Sequence, residues 1–554
     1  MVKIVSLLMI LIFGCSKDKI QKIYYNGIVW TGDDIAPMVT AIAVTDEYII
    51  AVGDDEKILS MADQETDKID LLGRFVSPGL IDNHVHFISG GLQLSRVNLN
   101  DANTKEIFQE RLVKFDKILP NGAWILGGNW DHELWGGQYP DKSWIDEVVY
   151  ERPVLIDRVD GHMALANSKA LDIAGINSNT MDPVGGIILK DKNNEPTGIL
   201  KELAINLVSE LVPELSNDEL DKALDVAMDY ALSLGVTQIH DMGSWKDLET
   251  YKRNHDQDKL KIRIKIYPWY TNWKKIIKYV NKNGPGDDWL RWDGIKGMMD
   301  GSLGSRTAWM SKPYLSDPLS KEKETVSTLG IITLEDTLDF KQILREKDKA
   351  DIQHAVHAIG DRANDWILDE YAKIKKELGI KDRRPRIEHS QHLSVSALNR
   401  FASENVIPSM QPYHLYDDGC WAHKRIGHDI LSRTYVFKTL IESGANLTFG
   451  SDWTVASLNP MTGIYASITR RTRDGKNPKG WFPEEKIVVQ DALKSYTINN
   501  SYAAFWDEKT GSIVAGKYAD FVVHSENLLE AEPEKILYSK VLRTVVGGRD
   551  FLYE

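Results

Sequence analysis

The chain has 554 residues, 42% hydrophobic and 27% charged, the make-up of a soluble globular protein with enough apolar surface to exclude disorder as its dominant state. At about 150 residues per domain, the length sets a starting expectation of three or four units. The net charge is −14 without any long Lys/Arg run, which argues against a dedicated nucleic-acid binder; the two cysteines, Cys15 and Cys420, exclude a disulfide framework.

Lys3 precedes an apolar run from Ile4 to Phe13. That run is too short to span a bilayer and suits a signal peptide's apolar region. It ends Ile12-Phe13-Gly14-Cys15, with the polar Ser16-Lys17-Asp18-Lys19 behind it. The pattern resembles the bacterial lipoprotein box. The resemblance implies that Cys15 is lipidated and becomes the new N-terminus. Residues 1–19 then read as signal and tether, and the body is exported and lipid-anchored to a bacterial membrane, on its periplasmic or outer side. Cys420 is left as a free thiol.

Residues 20–77 contain short β-branched and aromatic runs, at Ile23-Tyr25, Ala41-Val44 and Tyr48-Val52, separated by turn residues. Ala519-Val523 and Val541-Val546 look the same at the other end. These are hairpin signals, and they predict one small β-domain built from 20–77 and 500–554. The middle alternates short apolar runs with helix-period segments such as 217–234 and 364–378. The runs are Phe75-Ser77, Val236-Ile239, Ile262-Tyr267, Gly294-Met299, Ile352-Val356, Arg386-Glu388, Val406-Met410 and Ala445-Phe449. Eight strands alternating with helices predict an α/β fold, a (β/α)8 TIM-like barrel over 78–499. The long gap after the first run marks an insertion at about 98–215, with a hairpin signal of its own at Gly186-Leu189 and Thr197-Leu200.

Polar candidates follow the apolar runs, at the strand ends where a barrel carries its site. His84 and His86 stand at i and i+2, so on a strand both imidazoles face one way and could share a metal. Such a pair alone is weak, since chance supplies about one in three chains of this size and histidine content with it. Further strands add His354 or His357, His389 or His392, and Asp452 in Gly450-Ser451-Asp452. Imidazole and carboxylate are ordinary ligands for zinc and similar ions.

With Pro78-Gly79-Leu80-Ile81-Asp82-Asn83-His84-Val85-His86, His357-Ala358-Ile359-Gly360-Asp361, Ile387-Glu388-His389, Gly450-Ser451-Asp452 and the return segment Gly511 to Asp520, the chain resembles the amidohydrolase superfamily. Asp160-Gly161-His162 and Asp300-Gly301-Ser302-Leu303-Gly304-Ser305-Arg306 are similar to the subgroup that includes N-substituted formamide deformylases. The resemblance implies His84 and His86 as ligands of one metal and His357 and His389 as ligands of a second. It implies Lys296 as a carboxylated lysine bridging the two, and Asp452 as a ligand that also shuttles a proton. The implied cofactor is one or two divalent ions, zinc by expectation. The implied reaction is cleavage of an amide-type C–N bond, possible substrates being N-substituted amides or formamides, by a hydroxide held at the metal. Cys420 then has no chemical role.

Substrate contacts are expected from Asp160 and His162 in the insertion, and from Ser302, Arg306, Trp130 and Trp453. Trp269 and Trp309 also fall near strand ends and could line an aromatic pocket. The expected partners are a small amide-type substrate and, through the lipid, a membrane surface. No nucleic acid is expected, and homo-oligomer formation is left open. Two other functions fit the same residues: hydrolysis of cyclic amides or esters, and ligand binding by a non-catalytic surface lipoprotein.

Overall fold

The computed structural model describes residues 19–553 apart from 121, 137, 159–162, 184–185, 305, 316–328, 331 and 334–336. Cys15 therefore lies outside the described residues, as do Asp160 and His162. The chain divides into two units, one of residues up to Val85, Ala231–Met242 and Lys261 onward, the other of His86–Tyr230 and Gly243–Leu260. Among the described residues no helix is long and apolar enough to cross a membrane.

The first unit is organised around eight parallel strands: Leu80–Val85, Val236–Asp241, Arg263–Ile266, Gly294–Met298, Gln353–Ala358, Arg386–His389, Ile407–Met410 and Thr448–Phe449. Each pairs with the next in parallel register within two sheets. The third connects to the fourth through a bridge between Trp269 and Lys296, and the eighth returns to the first through Val85 and Trp453. Leu80–Val85, Val236–Asp241 and Gln353–Ala358 are buried at every residue, as expected of parallel strands covered on both faces. Helices Thr337–Lys349, Asp361–Leu378 and Ala397–Glu404 lie between successive strands.

The run at Phe75–Ser77, counted above among the eight, belongs elsewhere. Strand Phe75–Pro78 pairs with Ile28–Trp30 and with Phe521–His524. The first ring strand is Leu80–Val85 instead. Gly79 separates them: its N–H donates to Asp520 O, while Leu80 N–H donates to Gly235 O. A Cβ on Gly79 would lie 2.2 Å from Thr237 Oγ1, so only glycine lets the chain pass between the two sheets here.

Two further sheets follow, the first with strands from both ends of the chain and the second with strands from residues 22–70 alone. One runs Arg549–Leu552, Val541–Val546, Phe521–His524, Phe75–Pro78, Ile28–Trp30, Met38–Val39; the other runs Tyr48–Gly53, Ala41–Thr45, Lys22–Tyr25, Asp67–Asp70. Arg263, on the third ring strand, ties into them. Its Nε donates to Asp520 Oδ2 at 2.7 Å, and its guanidinium lies over the Tyr518 ring at 3.8 Å.

The second unit carries a six-stranded mixed sheet in the order Gly186–Lys190, Pro196–Glu202, Met163–Ala166, Val154–Arg158, Ile125–Trp130, Val97–Asn98. The first two form the antiparallel hairpin that its sequence signalled. Thr104 and Asn167 cap helices Lys105–Asp116 and Ser168–Ile173 by accepting from backbone N–H groups, as short polar side chains do at helix starts.

Lys347, on the helix before the fifth ring strand, is fully buried, and its Nζ has no hydrogen-bond partner. Burial lowers its pKa from 10.5 to about 7. The unfolded chain therefore holds that proton more tightly, so this residue makes stability rise as pH climbs from about 7 to 10.5. Lys347→Met should be more stable than the parent at pH 7, with the gap closing towards pH 10; urea unfolding at both pH values measures it.

Candidate metal centre

Five of the expected ligands lie in the first unit, and the structure gathers them. His84, Lys296, His357 and His389 sit on the first, fourth, fifth and sixth ring strands, and Asp452 follows the eighth. His84 Nε2 lies 3.1 Å from Lys296 Nζ and 3.5 Å from Asp452 Oδ1. The His389 ring lies 5.0 Å from that of His84 and 4.4 Å from that of His357. The ligand atoms of His84, His389 and Asp452 all fall within 4.8 Å of one another. His86 opens the second unit as the residue before helix Phe87–Leu94.

The two open choices resolve by direction. His354 is three residues from His357 on one strand, so it takes the opposite face, where its ring lies 5.8 Å from Tyr371. His392 Nδ1 is 2.8 Å from Thr434 Oγ1, away from the cluster.

Backbone geometry explains how neighbouring residues share one site. His389 has φ +73° and Asp452 φ +60°, a left-handed conformation that costs a non-glycine residue and tends to mark functional positions. The turn at His389 breaks strand alternation, so Glu388 and His389 both reach the centre. Asp452 is held by its N–H donating to His84 O at 2.7 Å. Asp82 Oδ1 accepts from His84 N–H at 3.1 Å and Ser451 N–H at 3.0 Å. Gly450 lets these strands approach: a Cβ there would lie 2.4 Å from Asn83 Oδ1 and 2.7 Å from His84 N.

Electrostatics favour metal binding. Burial lowers the His84 pKa to about 4 and that of His357 to about 3, and holds His389 well below its usual value. The imidazoles are therefore neutral at pH 7, the form that ligates. His84 Nδ1 donates to Glu388 Oε2 at 2.6 Å, and His389 Nδ1 to Gln411 Oε1 at 2.8 Å. In each case Nε2 keeps its lone pair, the outer partner fixing tautomer and ring orientation. His357 Nε2 donates instead to Gly301 O at 3.1 Å, so its lone pair is on Nδ1. Burial alone would raise the Glu388 pKa, but Arg386 and His84 outweigh it and hold the carboxylate ionised. Burial also lowers Lys296 to about 8. Two neutral imidazoles and a carboxylate converging in a buried site fit a divalent cation.

Glu388, Gln411 and Asp82 carry no expectation from sequence, although each stands within two residues of an expected ligand or at a strand end. His414 is also new: its Nε2 lies 3.9 Å from Asp452 Oδ2. The signal for it is position, directly after the seventh strand run.

The expected substrate contacts fare unevenly. Trp130 is fully buried in the second unit's core with its indole N–H on Ile156 O at 3.0 Å; it is packing and not a pocket wall. Ser302 N–H donates to Thr307 Oγ1, and Arg306 donates to Leu315 O at 2.6 Å, so both brace the loop after the fourth strand. Trp453 is buried beside Asp452 and pairs with Val85. Trp269 pairs with Lys296, and Trp309 N–H donates to Asp300 Oδ2. Cys420 is a free thiol, half-buried, with Sγ 3.8 Å from Tyr416 O.

An α/β fold of TIM-barrel type with buried histidines and an aspartate at its strand ends defines a metal-dependent hydrolase. The model of the amidohydrolase family matches residues 67–550, and the chain belongs to that family, whose members act on carbon–nitrogen bonds. It is 39% identical to the protein LONG AFTER FAR-RED 3 of Arabidopsis thaliana, over 95% of this chain and 90% of the relative. It is 24% identical to an N-substituted formamide deformylase of Arthrobacter pascens, over 94% and 96% of the two chains. Among solved structures, an uncharacterized metal-dependent hydrolase from Pyrococcus horikoshii matches with a TM-score of 0.75 and 25% identity, covering 93% of this chain and 99% of that one.

Glu388→Gln removes the charge that orients His84 and neutralises Arg386. Loss of such an outer partner typically costs 10–100-fold in metal affinity, roughly 1.4–2.7 kcal/mol. Metal retained after dialysis against a graded chelator series should fall accordingly, and a variant matching the parent throughout would show that His84 needs no such support.

Proposed function

We propose that this site cleaves the C–N bond of a small amide-type substrate, with N-substituted amides or formamides as the class. The observation that carries the reading is Asp452, whose Oδ1 is 3.5 Å from His84 Nε2 while Oδ2 turns the other way. One carboxylate oxygen can thus serve a metal and the other a proton. The similarity to an N-substituted formamide deformylase along nearly the whole chain supports the substrate class. In this reading the eight strands form a (β/α)8 barrel, the two chain ends make its β-domain, and residues near 98–215 are an insertion.

The proposed ligands in the first unit are His84, Lys296, His357, His389 and Asp452, with zinc as the ion, one or two per chain. When bound, the ion supplies Lewis acidity, making water a nucleophile at neutral pH and polarising the carbonyl. Asp452 takes the proton lost by the attacking water and returns it to the leaving nitrogen as the C–N bond breaks. The amine departs neutral and the acid remains. Glu388 and Gln411 hold the imidazoles still throughout, so little reorganisation is needed during the reaction. Lys296, less basic through burial, has more free amine at neutral pH to take up carbon dioxide as a carbamate.

Asp452→Asn keeps shape and a carbonyl oxygen but accepts no proton. Its kcat should fall by about 10²–10⁴-fold, roughly 3–5 kcal/mol of barrier, while bound metal drops little. Turnover of a panel of N-acyl and N-formyl amines, with metal content and melting temperature on the same preparation, provides the check. Near-normal kcat in a folded, metal-loaded variant removes Asp452 from the mechanism. Bicarbonate during metal reconstitution should raise the metal bound by the parent and leave Lys296→Ala unchanged; equal responses would argue against the carbamate.

We further propose that the mature chain begins at a lipidated Cys15, a reading supported by the apolar run and the polar residues that flank it. Intact mass and membrane fractionation of Cys15→Ser beside the parent test it.

A further inference from the structure

The two carboxylate oxygens of Asp452 approach different imidazoles. Oδ1 approaches His84, and Oδ2 lies 3.9 Å from His414 Nε2. His414 rides on helix Pro412–Asp418, directly after the seventh ring strand. Its ring lies nearly parallel to that of His389, at 6.2 Å and 12°. Its Nε2 is buried without a hydrogen-bond partner. Buried polar atoms are almost always paired, and an unpaired one at the edge of a site asks for an explanation. The gap to Asp452 is too long for a hydrogen bond, yet short enough for one substrate atom to lie within reach of both groups.

The charges around this ring determine which way it can act. Burial disfavours its protonated form, while Asp452 and Asp417 are the acidic groups facing it. A neutral ring with its hydrogen on Nε2 points that N–H into the gap, towards the Asp452 carboxylate. Nε2 is then a donor and not an acceptor. Among the residues around Asp452, that leaves a division of labour: the carboxylate handles protons, and the imidazole offers a fixed N–H dipole.

Building on the hydrolase reading above, we propose that His414 is a catalytic residue whose Nε2–H donates a hydrogen bond to the scissile carbonyl oxygen as that oxygen gathers negative charge. No proton leaves His414. Its contribution is a dipole already aimed at the place where charge develops, which acts on the transition state more than on the bound substrate.

The test compares His414→Phe and His414→Gln with the parent, each zinc-loaded. Phenylalanine should lower kcat by about 10²–10³-fold, the usual effect of deleting one such donor, with KM within a few-fold and metal stoichiometry and melting temperature unchanged. Glutamine, which can present an amide N–H, should recover part of the loss. Parent-like kcat in His414→Phe overturns the proposal. Metal lost in step with activity also overturns it, making His414 a ligand. A readout free of turnover is the nitrogen NMR spectrum of histidine-labelled, zinc-loaded parent, assigned by difference with His414→Phe: a protonated Nε2 is expected, and an unprotonated one refutes the donor role. Should the parent hydrolyse no N-acyl or N-formyl amine, the proposed function fails, and the nitrogen spectrum still decides the state of His414.

Discussion

The centre depends on one buried ion pair. Arg386 and Glu388, two apart on the sixth ring strand, are both fully buried. Glu388 accepts from Arg386 Nε at 2.7 Å, from His84 at 2.6 Å and from Ser409 Oγ at 2.6 Å. Arg386 also donates to Asn83 O at 2.6 Å and meets His240 Nδ1 at 2.9 Å. Taking two charges out of water is costly unless nearly every donor and acceptor is satisfied. Here they are satisfied by the first, second, sixth and seventh strands at once. An apolar pair of similar volume could fill the space, but it would leave His84 without its carboxylate. The pair is best understood as fixing an imidazole, at some expense in desolvation.

The ring was largely legible from sequence because strands buried on both faces stand out as short apolar runs. The same property misled at Phe75–Ser77, since burial on both faces looks alike in a ring strand and in a flanking sheet. Only the pairing of Phe75–Pro78 with Phe521–His524 tells them apart. The clustered histidines and Asp452 were legible as polar residues ending such runs. Spacing alone could not separate His354 from His357, whose directions depend on where the strand begins. Glu388 escaped because period-two reasoning sends it and its neighbour His389 to opposite faces, whereas the left-handed turn at His389 brings both to one centre. Gln411 and His414 escaped because they follow the seventh strand, on the lead-in to and the body of helix Pro412–Asp418, where a strand's periodicity no longer applies. Trp130 misled for another reason: a tryptophan near a strand end packs as readily as it lines a pocket.

The strained turns are held from several sides. A left-handed aspartate or histidine persists only where its surroundings over-determine it. Asp452 is bound through its backbone to His84, and Ser451 is bound to Asp82. His389 is held between two rings and Gln411. Positioning of this kind is settled during folding and leaves little to be ordered when a ligand arrives.

The closure of the ring bears on how the chain is made. Asp82 and Ser451, which meet at the seam, are 369 residues apart, and Arg263 waits for Asp520 before its charge is matched. Contacts this distant along the chain are slow to form, because the entropy of closing the intervening loop comes before the reward. During synthesis the earlier strands emerge with an open edge and an unmatched interior arginine. The growing chain therefore spends most of translation as an incomplete ring, the state in which exposed strand edges invite aggregation. Completion falls to the chain from Thr448 onward, which carries the seam, Asp452 and the outer strands of the flanking sheet together.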